Sequence, residues 1–237
     1  MSFQSFVLRW NMFWSKAQQP VFYEKILLGL KNTCLIALIG FAIGFLLGTI
    51  LAVFKLLPKN SKLGKVLSIV SDIYVAIFRG TPMVVQLLVA YYVILPLLAI
   101  KAPALTVAEI MFGLNSAAYV CEIMRSGILS VDNGQMEAGR SLGLNYMQTM
   151  FRIVFPQAIK NILPTLGNEF IMLIKETSVV SLVGATDLFC AFQYIGNNNY
   201  EYMIPYLMMA LIYIIVIVLL TLLIKFIERR LRASDKR

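Results

Sequence analysis

Three stretches of the chain each run for roughly 20 residues without a charge, the length a helix needs to cross a bilayer. They are Cys34 to Phe54, Gly80 to Ile100 and Met203 to Ile224. A buried helix of a soluble domain rarely needs so long an uncharged run. The first predicts a span over 32–55, followed by a basic loop with Lys55, Lys59, Lys62 and Lys65. Within it, Gly40, Gly44 and Gly48 recur every four residues on one helical face, where another helix can come close. That contact is either internal or with a second copy.

Residues 66–98 are too long for one straight crossing, since about 33 residues at 1.5 Å reach roughly 50 Å. The run is interrupted at Arg79-Gly-Thr-Pro82, which predicts a helix to about residue 78, partly along the membrane, and a span over 82–98. Further spans are expected over 104–129, from 155 to about 180 with breaks at Pro164 and Gly167, and over 203–226. Residues 1–31 mix Trp, Tyr and Phe with Arg9, Lys16, Glu24, Lys25 and Lys31, the composition of an interfacial lead-in. Residues 32–229 form one transmembrane domain, and 230–237 a basic tail. The expected fold is an all-α membrane protein with five transmembrane helices. The three segments assigned to the cytoplasm hold 14 of the 21 Lys and Arg, which places the amino end outside and the carboxyl end inside.

Composition agrees with this pattern. The chain has 237 residues, 59% hydrophobic and 14% charged, where soluble domains carry about 25% charge. The net charge of +9 clusters beside apolar runs, so it reflects membrane orientation and not nucleic-acid binding. There is no histidine, which removes the commonest general base and metal ligand. Cys34, Cys121 and Cys190 have no metal-like spacing, and no phosphate-binding loop of the Gly-x4-Gly-Lys-Ser/Thr type occurs.

One polar island stands apart: 132–156, containing QMEAGRSLGLNYMQTMFRIVFP. Asp132 or Asn133 can cap a helix over about 135–142. Gly143 suits the left-handed position that ends one. Asn145 with Gln148 reads as a capping box opening the next helix. Glu137 falls in the first turn, where a carboxylate favours the helix dipole. Ala138 and Gly139 are small enough to let a partner's surface reach the backbone.

Glu137, Ala138, Gly143, Ile153 and Pro156 resemble, in type and spacing, the EAA loop of inner-membrane subunits of ABC importers. Gly139 stands for that pattern's second alanine and Phe155 for its leucine. The flanking stretches FRGTPMVVQ, AAYVCEIMRSGI and FPQAIKNILPTLGNEFIMLIKETSVVS resemble permeases for polar amino acids, over roughly Leu27 to Glu228. The resemblance implies a multi-pass subunit of the bacterial inner membrane, paired with a second permease subunit that is an identical chain or a close relative. It implies two copies of a cytoplasmic ABC ATPase, which hold ATP and Mg, and an external amino-acid-binding protein. No cofactor is expected in this chain. The 132–156 segment becomes the coupling segment, with Glu137, Ala138, Gly139, Leu142 and Gly143 docking the ATPase. An ion-driven transporter would leave this segment without a purpose, and the intramembrane Glu122 speaks against a non-transporting scaffold.

A permease of this kind needs polar groups at membrane depth, and such groups are costly enough to indicate function. On the third span Asn115, Tyr119, Glu122 and Ser126 fall within about 60° of one another. Glu109 lies on another face. Thr81 as N-cap and Pro82 at N1 would open a half-helix with an anion site beside Arg79. Together these suggest a zwitterion clamp: Arg79 and the Thr81 terminus on the substrate carboxylate, Glu122 on its ammonium. Gln86 and Asn115 would read the side chain of a cationic or amide amino acid. The alternative for Glu122 is a salt bridge to Arg125 or Arg79. Lys175, Glu176, Thr177 and Ser178 form a second polar cluster, a gate or a packing contact.

Overall fold

Hydrocarbon offers a backbone no hydrogen-bond partner but itself, so a spanning chain must close its bonds within helices or barrels. In the computed structural model, which describes residues 3–57, 61–199 and 201–233, every regular element is helical. Side chains at 16, 17 and 231–233 are not described. Lys59 of the basic loop and residues 234–237 of the tail also lie outside the described residues.

The elements are α1 (Phe3–Ala17), α2 (Pro20–Leu56), α3 (Lys62–Gly80) and α4 (Met83–Val89). The last continues through a π-helical stretch, Ala90–Ile94, into α5 (Leu95–Leu97). Then come α6 (Ala104–Leu129), α7 (Asn133–Ser141) and α8 (Tyr146–Thr149). A second π-helical stretch, Met150–Val154, leads into α9 (Phe155–Glu176), which tightens to a 3-10 helix over Thr177–Val183. The chain ends in α10 (Leu188–Asn199) and α11 (Met203–Ala233). Three helices, Pro20–Leu56, Ala104–Leu129 and Met203–Arg230, are long and apolar enough to cross a membrane. Two interrupted pairs, Lys62–Gly80 with Met83–Leu97 and Tyr146–Val183 with Leu188–Asn199, meet the same test together.

Four expectations change. The first span begins at Pro20, not 32: Pro suits the start of a helix, and nothing between Pro20 and Leu56 stops one. The expected lead-in is therefore mostly helix, formed by α1 and the start of α2. Around it, a Cβ on Gly29 would stand 2.6 Å from the Asp187 carbonyl oxygen, and Asn32 donates to the Thr186 carbonyl at 2.8 Å. The expected breaks at Pro164 and Gly167 are absent, and α9 runs through both. Gly167 instead admits Ile224, which a Cβ there would meet at 2.8 Å. Residues 188–199, which lie between two expected spans, form α10. Asp187 caps it, accepting from Phe189 N at 3.1 Å and Cys190 N at 2.8 Å. Its buried face, Leu188, Ala191, Phe192 and Ile195, has the i, i+3, i+4, i+7 spacing of a helix.

Contacts divide the chain into two units, and α2, α6, α9 and α11 each contribute to both. One unit comprises residues 1–40, 83–112 and 173–219. Its core gathers Phe13, Phe22, Leu188, Phe192, Ile195 and Ile204. Glu201 caps α11 by accepting from Met203 N and Ile204 N, and pairs with Arg9 at 3.4 Å. The other comprises 41–82, 113–172 and 220–237. Its core is built on small residues: Ala52, Ala117, Ala118, Cys121 and Ala158 pack with Leu51, Val120 and Ile162. The glycine face of α2 is spent there. A Cβ on Gly44 would strike Ser116 at 2.7 Å, and one on Gly48 the Ala117 carbonyl at 2.7 Å. In lipid, where apolar surface alone drives little association, such close approach is what holds helices together.

Candidate functional site

Both the coupling segment and the charged residues of interest lie in the second unit. Asp132 is the N-cap of α7, its carboxylate accepting from Gly134 N at 2.6 Å. The helix therefore starts at Asn133, and Glu137 is its fifth residue, outside the first turn where the sequence placed it. At the other end Leu144 N donates to Gly139 O at 3.2 Å, and Gly143 N to Arg140 O at 3.0 Å. With Gly143 at φ +82°, these two bonds form a Schellman motif, as the sequence predicts. The capping box is complete: Gln148 N donates to Asn145 Oδ1 at 2.8 Å, and Asn145 N to Gln148 Oε1 at 3.0 Å. Gln157 Nε2 donates to Gln135 Oε1 at 3.1 Å and ties α7 to α9.

The segment presents an exposed rim. Leu142 is 81% exposed, Tyr146, Met147 and Phe151 further along the segment are exposed too, and so are Glu137, Ala138, Arg140 and Gly143. Space beside Gly143 is open. Gly139 is different, and its assignment to partner docking is corrected here. It is buried, and a Cβ there would meet Thr149 Cγ2 at 2.5 Å and Ile153 Cδ1 at 3.0 Å. The backbone approach that its size permits is made by the chain's own next helix.

The charged residues form a network around an open cavity of about 560 Å³. Lys55, only 9% exposed, lies between two carboxylates: Glu122 Oε1 at 2.5 Å and Asp72 Oδ1 at 2.9 Å. Arg125 donates to Glu122 Oε2 at 2.8 and 3.1 Å. Arg79 also lines this cavity, and its guanidinium lies 5.3 Å from the centre of the Tyr119 ring. Asn115 is buried and donates to the Phe78 carbonyl at 3.4 Å.

The clamp drawn from sequence thus needs two corrections. Both oxygens of Glu122 are held by cations of the chain itself. One of these, Lys55, the sequence assigned to a loop. The Thr81 hydroxyl donates back to Ile77 O at 2.8 Å and so serves the end of α3. Ser126 is exposed and bonds its own helix at Ile123 O. Gln86 lies on α4, in the other unit. Two acidic residues were passed over. Asp72 lines the cavity, and Glu169 accepts from the buried Ser116 hydroxyl at 3.1 Å. Asp72 was legible as a carboxylate seven residues before Arg79. Glu169 stood in a quoted stretch without drawing notice.

Long apolar helices around a capped polar segment are the features of a membrane permease subunit, and the comparisons agree. The chain belongs to the binding-protein-dependent transport system inner membrane components, a family that matches residues 44–233. Within it, the chain is an ABC permease of the amino-acid group. It is 37% identical to the arginine transport system permease protein ArtQ of Bacillus subtilis over 210 residues, covering 89% of this chain and 94% of that one. It is 38% identical to a putative glutamine transport system permease protein GlnP of Rickettsia typhi, covering 89% and 95%. The crystal structure of an amino acid ABC transporter with histidines superposes with a TM-score of 0.80 at 37% identity, covering 97% and 99%. The MetNI methionine ABC transporter, at 19% identity and a TM-score of 0.69 over 91% and 99%, shares the fold. The protein is thus a multi-pass inner-membrane protein, and its family is not itself catalytic.

Proposed function

We propose that this chain is the membrane path of an ATP-driven importer for a polar amino acid. An external binding protein delivers the substrate, and two copies of a separate cytoplasmic ATPase supply the work. Two identical permease chains form the path, each crossing the membrane five times with its amino end outside. The observation that carries this reading is α7. Every bond that ends it is made within the chain, yet Leu142, Tyr146, Met147 and Phe151 stand exposed beside it. A short helix with satisfied ends and an apolar rim is suited to sit in a partner's groove and move as a rigid body. Relatives named for arginine, glutamine and cystine transport support the substrate class.

The test is reconstitution with the partner ATPase and binding protein in liposomes, with uptake of a panel of labelled amino acids. Vanadate-sensitive uptake that requires the binding protein is expected. Uptake driven by an ion gradient without ATP would overturn the reading.

A further inference from the structure

The two carboxylates of the charged cavity differ in what they have left to give. Glu122 commits Oε1 to Lys55 and Oε2 to Arg125. Asp72 commits only Oδ1, to Lys55, and its side chain remains 58% exposed. On α3 the residues Asp72, Val75, Ala76 and Arg79 follow the i, i+3, i+4, i+7 spacing and all line the cavity. They form one wall: a carboxylate, an apolar floor of two small residues, and a guanidinium. Asp72 and Arg79 are separated by about 10.5 Å of helix rise. Helical side chains lean toward the amino end of their helix, so the long Arg79 can reach back along this wall. Its guanidinium lies 5.3 Å from the centre of the Tyr119 ring, and no ion pair joins it to Asp72 among the described residues.

We infer that this wall is a cradle for the backbone of an amino acid, with Arg79 taking the α-carboxylate and Asp72 the α-ammonium. Glu122 is a positioning residue that fixes Lys55 and Arg125. The charges that line the cavity also bear on the side chain. Lys55, Arg79 and Arg125 face Asp72 and Glu122, an excess of one positive charge. A zwitterion leaves that excess unchanged, whereas a cationic side chain adds to it. The cradle therefore favours an amide or acidic side chain over arginine or lysine, which keeps the amide half of the expectation drawn from the sequence and replaces the cationic half. The inference rests on the amino-acid importer reading.

The test uses the purified complex of permease and partner ATPase, with radiolabelled glutamine as probe and arginine and glutamate as competitors. Asp72→Asn is expected to weaken glutamine binding on the order of tenfold or more, the loss of one charge-assisted hydrogen bond. Asp72→Glu should recover most of it. Arginine should compete more weakly than glutamate. Equal glutamine affinity in wild type and Asp72→Asn would overturn the cradle, and stronger competition by arginine would overturn the charge preference. In liposomes with the binding protein, a wild-type complex that takes up no amino acid overturns the importer reading along with the cradle. Normal uptake by both wild type and Asp72→Asn overturns the cradle alone.

Discussion

Glu122 shows how much one residue's meaning depends on partners far away in sequence. An acidic side chain on an apolar helix is visible in the sequence as an expensive group. The Arg125 alternative was visible too, being three residues on. Lys55, 67 residues away, was not, because a lysine at the end of an apolar run also reads as a loop anchor. The structure makes Glu122 the joint of a four-residue network with Lys55, Asp72 and Arg125. Glu122→Gln should therefore lower stability by roughly 1–3 kcal/mol, since the nearly buried Lys55 loses one of its two partners. Thermal unfolding in detergent measures this, and an unchanged midpoint would show that the network adds nothing. Gly139 carries a related lesson: small size announces a close approach but not by whom. Gly139→Val should disturb the seat of α7 on Thr149 and Ile153. Reduced substrate-stimulated ATPase activity with normal membrane insertion is the expected result, and full stimulation would contradict it.

At the scale of elements, local signals were the most legible. Asp132, Gly143, Asn145 and Gln148 act within a few residues of themselves, so the sequence shows both the caps and what they cap. The cap at Asp187 has the same form, yet α10 is absent from the spans expected from sequence, because at 12 residues it is too short to cross a bilayer. The breaks expected at Pro164 and Gly167 failed for a different reason. A proline removes one hydrogen bond, but neighbouring helices in a membrane domain can hold the helix together. The capping box gives a direct prediction. Asn145→Ala should cost about 0.5–2 kcal/mol locally. Faster hydrogen exchange at the amide of Gln148 checks it. Gly143→Asp removes the residue best suited to φ +82° and adds a charge at the exposed corner. Loss of transport with the protein still in the membrane is expected, and normal substrate-stimulated ATPase activity would argue against docking there.

For the whole molecule, two of the three uncharged runs fall within long helices, α2 and α11, because hydropathy needs no knowledge of partners. Helix ends were less legible: α2 extends past the hydrophobic run at its start, and α11 past it at its end. The proposed orientation has a concrete check. In a variant without Cys34, Cys121 and Cys190, single cysteines replace Leu142 and Asn198, both exposed. An impermeant maleimide added to intact cells should label position 198 and spare 142. The reverse pattern would invert the topology.

The closed ends of α7 also bear on the thermodynamics of assembly. A segment that orders only on contact spends part of its interaction energy on folding, and shows it as a large negative heat-capacity change. Here the backbone bonds exist before any partner arrives. Association should then resemble the docking of two rigid bodies, with a heat-capacity change set by the small rim of Leu142, Tyr146, Met147 and Phe151. Weakening the Schellman bonds should make that change more negative, even where no residue of the contact itself is altered.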